Sequence, residues 1–273
     1  RELPVPPLPE ADCTAEAPRL TISVTRLEQL SPALLELGCP ARVYIPLEEV
    51  SRLESLPGEG PEWCAVLPRV WRDRDEPALR TLLERARALG FTGVLIGNLG
   101  HLPLVRGLDF HLYGDYGLNV FNSRSLAYLK DKELESACVS FELRFAQIRD
   151  LKKVLRAEAI VYGRLPLMIT ENCIIHNHSG RHTCANVNLL TDRKGERFPV
   201  VKAPGCRNEI LNSKKLFLAD KAGDWQRLGL WSGRLMFTTE NARECVQVLE
   251  RYLGRGSYQP NDYTRGLYYR GVE

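Results

Sequence analysis

The sequence predicts an α/β fold, a (β/α)8 TIM-like barrel with a small inserted subdomain between strands 7 and 8. Three observations predict it. From Arg19 onward, short β-branched runs alternate with helical patterns eight times over roughly 235 residues, the length such a barrel takes. Most of these runs are apolar with little alternation, as parallel strands covered on both faces are. The rival, a doubly wound open sheet, lacks its Gly-rich phosphate fingerprint after the first strand.

The first strand is Leu20-Thr21-Ile22-Ser23-Val24, followed by a helix from Leu27 to Leu37 that ends at Gly38. Arg42 to Pro46 is the second strand, with a short helix from Glu48. Trp63 to Leu67 is the third, and its helix, Glu76 to Leu89, stops at the C-cap residue Gly90. Gly93–Gly97, Asp109–Tyr113, Ala137–Phe141 and Ala159–Tyr162 follow as strands four to seven. Arg234–Thr238 is the eighth, ahead of a helix from Glu240 to Leu253. Residues 164–230 break this rhythm and are too long for a plain loop, so a subdomain is expected there. Its turn at Asp192-Arg193-Lys194-Gly195, between Leu189-Leu190 and Phe198-Pro199-Val200-Val201, reads as a β-hairpin. The expected layout is a Pro-rich linker (1–18), a barrel (19–163 and 231–253), a metal-binding insert (164–230) and a Tyr/Arg tail (254–273).

Composition sets the outer bounds. The 273 residues are 44% hydrophobic and 26% charged, which excludes disorder, coiled coil and collagen. No apolar run approaches the ~18–20 residues that span a bilayer, so no membrane partner is expected. A net charge of +3 is too balanced to argue for nucleic acid by itself. The chain opens without Met or a secretion signal and has five prolines by Pro18, which reads as a linker in a fragment of a longer protein. A cytoplasmic location and upstream domains of the same protein as partners are the expectations that follow. In a reducing compartment, eight cysteines argue for free thiols or metal ligands over disulfides.

Three of the five histidines, His176, His178 and His182, crowd one short window bracketed by Cys173 and Cys184, with Cys206 following. Thiolates and imidazoles gathered in an irregular segment suit a tetrahedral zinc ion, whose ligands converge from different turns. The expected set is Cys173, Cys184, Cys206 and one histidine, His178 or His182. The spacing matches no standard zinc finger, and the competing reading is buried thiols beside loop histidines. A closed, structural site is favoured because the insert is poor in long apolar runs.

No His-Glu-x-x-His, Gly-x-Ser-x-Gly or P-loop is present. Chemistry in this fold sits at the C-terminal ends of strands, and those ends carry Arg69, Asn98, Asp115, Asn119, Asn122, Glu142 and Arg164. Glu142 and Arg164 follow buried strands most closely and are the candidate catalytic pair; the others are candidate substrate contacts. Guanidinium groups match carboxylates or phosphates bidentately, which points to an anionic or polar ligand. Ordinary turn and cap polarity is the alternative for each. The tail interleaves Tyr252, Tyr258, Tyr263, Tyr268 and Tyr269 with arginines, a pattern that either stacks on single-stranded RNA or packs its rings over the barrel.

Tyr162-Gly163-Arg164-Leu165-Pro166-Leu167-Met168 leading to Cys173 resembles the U32 peptidase (collagenase-like) family. So do Asn119-Val120-Phe121-Asn122, Ser140-Phe141-Glu142-Leu143, Leu211-Asn212-Ser213-Lys214 and the ending from Thr264 to Val272. The resemblance spans residues 19–273 and is nearest to the C-terminal barrel of a long bacterial member. It implies a barrel, a historical peptidase label and, in better understood members, iron–sulfur clusters serving hydroxylation of transfer RNA, ribosomal RNA or ubiquinone precursors. Cys173 resembles one family cysteine. Pro166 stands where another is expected, and Phe217 where the family's Asn-Ser-x-Asp-Leu-Cys places a third. A standard cluster needs four thiolates, so zinc is the cofactor expected here and an iron–sulfur cluster the alternative. The resulting expectation is an accessory barrel of an RNA-modifying protein. The alternatives are a metal-dependent peptidase and a non-catalytic barrel that binds a carboxylate metabolite.

Overall fold

The computed structural model describes residues 7–10, 12–38, 40–181 and 188–272. Its strands, in chain order, are β1 (Arg19–Ser23), β2 (Arg42–Pro46), β3 (Glu62–Val66), β4 (Gly93–Ile96), β5 (His111–Gly114), β6 (Leu134–Cys138) and β7 (Arg156–Gly163). There follow β8 (Pro166–Thr170), β9 (Asn188–Thr191), β10 (Arg197–Ala203), β11 (Arg207–Leu211), β12 (Lys215–Phe217), β13 (Ser232–Met236) and β14 (Tyr263–Thr264). Each of β1 to β6 pairs in parallel with the next, and β13 pairs in parallel with both β7 and β1. The expected eight-stranded barrel is therefore closed, with Ile22 of β1 opposite Val43 on one side and Leu235 on the other.

Helices α1 (Pro32–Glu36), α2 (Leu47–Val50), α3 (Glu76–Ala88), α4 (His101–Val105), α5 (Ser123–Asp131), α6 (Phe145–Asp150), α7 (Ile174–Ser179), α8 (Ala222–Trp225) and α9 (Ala242–Tyr252) are set between and after the strands. The helix α3 buries Leu79, Leu83 and Ala86, a stripe at helical spacing, and the chain leaves it through Gly90 at φ +98. The helix α9 is capped by Asn241, whose Oδ1 accepts the Glu244 amide at 2.9 Å, and buries Cys245, Val248 and Leu249. The helix expected from Leu27 to Leu37 is broken. A 3-10 turn at Leu27–Gln29 precedes α1, which restarts at Pro32 behind the N-cap Ser31. Proline has no amide to continue the ladder and pushes the residue before it into the extended region. The sixth strand lies three residues earlier than expected, because beyond Cys138 the chain keeps only one bridge, Val139 to Val120.

Alternate strand residues face opposite ways, and the two sides differ in chemistry. Ile22, Val43, Ile45, Ala65, Val94, Ile96, Ala137 and Leu235 pack outward against the helices in the main apolar core. The barrel interior is polar. Arg234 of β13 is buried at its centre, donating from Nε to Glu158 Oε2 at 2.7 Å and from Nη1 to Asp115 Oδ1 at 2.6 Å. Thr21 and Ser232 donate to Glu158 Oε1 at 2.5 and 2.8 Å. At the N-terminal end, Arg42 stacks 3.3 Å from the Tyr113 ring centroid and donates to Glu62 at 2.8 Å. Arg42 and Arg234 thus each have both a carboxylate and aromatic faces, the condition under which burying them is tolerable.

After Gly163 the chain leaves the barrel. A Cβ at this residue would run into the Met236 carbonyl oxygen, and its φ of +124 suits glycine alone. Strands β8, β11, β10 and β9 then form a separate antiparallel sheet in that order, with the β9–β10 hairpin turning through Asp192–Glu196. Cys173, Ile175 and Val200 make its own small apolar cluster. In the tail, Tyr268 is buried, stacks on Phe145 at 4.8 Å and donates to the Ile160 carbonyl at 2.6 Å. Tyr252 donates to the Val161 carbonyl at 2.6 Å, and Tyr258 to Glu244 at 2.7 Å. Tyr269 alone of the five is largely exposed. Among the described residues, no helix is long and apolar enough to cross a membrane.

Candidate functional site

The insert folds back over the C-terminal mouth of the barrel, and two hollows lie between them. The outer one, of about 350 Å³, is lined by Arg69, Tyr116, Asn119, Ser140, Phe141 and Glu142 from the barrel and by β8 of the insert. The inner one, of about 130 Å³, reaches down to Asp115 and Arg234 and is lined above by Arg164 and Glu209. Tyr116 borders both hollows. Arg69 lies over the Tyr116 ring, 5.2 Å from its centroid, and meets Glu209 of β11 at 3.4 Å. This ion pair across barrel and insert forms the partition.

The electrostatics of the partition are uneven. Burial pushes the Glu209 carboxyl up from its ordinary range, and the Arg69 guanidinium offsets this only in part. A 3.4 Å contact is longer than the ~2.7–2.9 Å of a charge-assisted hydrogen bond. About a third of the Arg69 side chain stays accessible, so its fork retains donors for another acceptor. Deeper in, the Glu158 carboxyl, which burial alone would raise, is held below its usual value by Arg234, Thr21 and Arg42.

Five of the seven polar residues expected at strand ends meet here. Arg69, Asn119 and Glu142 line the outer hollow, Asp115 and Arg164 the inner. Glu142 and Arg164, the two candidate catalytic residues, thus line different hollows. Two residues are placed elsewhere: Asn98 Oδ1 accepts the Gly100 amide at 2.8 Å, and Asn122 caps α5 through the Ser125 amide at 2.9 Å. Contributors not singled out in the sequence include Tyr116, Glu209, Ser23, Thr238 and Arg234. For Arg234 a signal existed, a lone charge within an apolar strand. Glu209 had none, since its position depends on how the insert packs.

Of the expected metal ligands, Cys173 is buried at the start of α7, where its Sγ accepts the His176 amide at 3.4 Å. His178 is exposed on α7, and Cys206 is exposed in the β10–β11 turn at φ +60. Cys184 and the alternative His182 lie outside the described residues. Among the described residues, no three His, Cys, Asp or Glu side chains converge as metal ligands would. Cys173, His178 and Cys206 by themselves form no metal site.

Residues 56–188, from ahead of β3 to the first residue of β9, match the model of Peptidase family U32. Among solved structures, the U32 peptidase Mk0906 aligns at 9% identity over 85% of this chain and 98% of that chain, with a TM-score of 0.49. A mutant tryptophan synthase alpha-subunit from the hyperthermophile Pyrococcus furiosus aligns at 9% identity over 89% and 99%, with a TM-score of 0.48. The Bacillus megaterium QM B1551 spore cortex-lytic enzyme SleL aligns at 8% identity over 91% and 76%, with a TM-score of 0.38. No curated protein matches the chain in sequence. The likeness to Peptidase family U32 thus runs from ahead of the third barrel strand into the insert that roofs the mouth.

Proposed function

We propose that this U32-like barrel is a binding module that takes a carboxylate-bearing metabolite in its outer hollow, as the accessory part of a larger protein. The observation that supports this most is Arg69, a guanidinium over Tyr116 whose one carboxylate partner is 3.4 Å away. A ligand carboxylate would take the open side of that fork bidentately. Tyr116 and Phe141, with ring centroids 5.8 Å apart, and Leu167 and Met168 of β8 provide an apolar wall suited to a ring. Asn119 and Glu142 offer acceptors for hydroxyl or amino groups, and the carboxylate of Glu142 disfavours a dianion. Hydroxylated ring acids are the class that meets all three demands.

An RNA-facing role has less support, because four of the five tail tyrosines are packed into the protein. The peptidase reading would place Glu142 near a metal-bound water. Neighbouring Ser140 Oγ is engaged by the Glu142 amide at 3.3 Å, and no histidine among the described residues lines the hollow. The metal proposal rests on Cys184 closing on Cys173 and Cys206. Zinc in the purified protein that is lost in Cys184→Ser supports it, and a metal-free parent removes it.

Thermal-shift titration with aromatic-pathway acids tests the binding proposal. Stabilisation by at least one acid is expected in the parent, weakened about tenfold or more, ~1.4 kcal/mol, in Arg69→Gln. Equal shifts in parent and variant would remove Arg69 from the site.

A further inference from the structure

Glu158 and Glu209 are both shielded carboxylates, yet their surroundings push them in opposite directions. Arg234 donates to Glu158 from Nε and Nη2, and Thr21 and Ser232 donate to its other oxygen. That set of donors keeps it ionised. Glu209 is less well served. Among the described residues its one ion pair is with Arg69 at 3.4 Å, and only 22% of its side chain is accessible. Burial and the like charge of Asp115 raise its carboxyl, and Arg69 alone pulls the other way.

The other cations around the inner hollow are committed elsewhere. Arg234 gives Nη1 to Asp115 and Nε and Nη2 to Glu158. Arg164 donates to the Asn212 and Ser213 carbonyls and feels the Glu244 charge. Tyr116, the ring beside both Arg69 and Glu209, is kept neutral by burial. The two partners of the partition also differ in freedom. Arg69 is in the loop after β3, with 35% of its side chain accessible, and lines the outer hollow. Glu209 is fixed in β11, paired with Ile169 of β8 on one side and Val201 of β10 on the other. A guanidinium drawn outward leaves this carboxylate behind.

We infer that Glu209 is an internal competitor for Arg69: it holds the guanidinium in the empty protein, yields it to the ligand's carboxylate and takes a proton in exchange. This rests on the reading of the outer hollow as a carboxylate site and adds the regulation of that site. A ligand on the fork places two anions around one cation, with Asp115 close behind. The ligand, in the half-open outer hollow, keeps its charge, and the more shielded Glu209 is neutralised by a proton from solvent. The proton returns to solvent when the ligand leaves. Acid binding is therefore tightest where Glu209 is already protonated. It weakens as pH rises from the Glu209 midpoint of the empty protein to the higher midpoint of the complex.

The test uses the full chain labelled with carbon-13 at the glutamate Cδ. The Glu209 signal, assigned by its loss in Glu209→Gln, is followed through a pH titration without ligand and with saturating 4-hydroxybenzoate or salicylate. Its midpoint is expected above the ordinary carboxylate range in the empty protein, and about one pH unit higher with acid bound. Between the two midpoints, calorimetry in two buffers of unlike ionisation heat is expected to show uptake of up to about one proton per acid in the parent. Above both, Glu209→Gln is expected to bind the acid about tenfold more tightly than the parent, with no uptake. An acid bound equally by both proteins without proton uptake overturns the inference and leaves the carboxylate reading standing. So does a Glu209 midpoint within or below the ordinary range. Uptake that persists in Glu209→Gln assigns the proton to another group, Glu142 among them, and overturns it as well. Binding of neither acid by either protein removes the carboxylate reading, and this inference with it.

Discussion

Arg69, Asp115 and Arg164 share a local origin: each follows a barrel strand by a few residues, and strand ends in this fold project into the mouth. That made them legible in the sequence. Their partners were not, because Glu209 is 140 residues from Arg69 and Arg234 is 119 from Asp115, and no local pattern encodes such pairings. Asn98 and Asn122 carry the same polarity for a local purpose, one bonded within its turn and one capping a helix. His101 shows how burial sets chemistry at single-residue scale. Its ring is fully buried, with Nε2 3.2 Å from the Pro68 carbonyl and Nδ1 unpartnered, and burial lowers its pKa to about 4. The folded state therefore resists protonation that the unfolded chain accepts near 6.5. Stability is full above pH 6.5 and falls as pH drops toward 4, by at most ~1.4 kcal/mol per pH unit for this proton. Urea unfolding across that window should show a shallower slope in His101→Gln, whose amide can still donate to Pro68. Identical slopes would mean that His101 does not titrate in this way.

The roof over the mouth exists because β7 ends in Gly163, where the backbone turns at φ +124 under the Met236 carbonyl. Gly163→Ala forces a side chain against backbone in a region alanine avoids, and should cost about 3 kcal/mol or more in urea unfolding. A loss under roughly 1 kcal/mol would show that the junction is slack. At this scale the sequence was a fair guide where period and caps coincide, as in α3 and α9. It misled between Leu27 and Leu37, where apolar spacing continues through Ser31-Pro32 but the hydrogen-bond ladder cannot. The sheet of the insert was foreshadowed by its hairpin turn. Its strand order, with β8 beside β11, follows from long-range pairing that only the folded chain reveals.

At the scale of the molecule, eight repeats of strand and helix were enough to predict closure. The polar interior was not, because Thr21, Arg42, Tyr44, Glu158 and Arg234 are scattered singly among apolar neighbours and gain meaning only when the barrel brings them together. That interior fills the barrel with its own ion pairs, and the carboxylate site proposed above is the mouth, under the insert. Calorimetric titration of the protein with matched pairs, each ring acid beside its own primary amide, tests this most directly. Recognition through the Arg69 fork predicts that the acid binds and the amide, of the same shape without the charge, is weaker about tenfold or more. Equal binding of acid and amide, or none of any acid in the series, would contradict it.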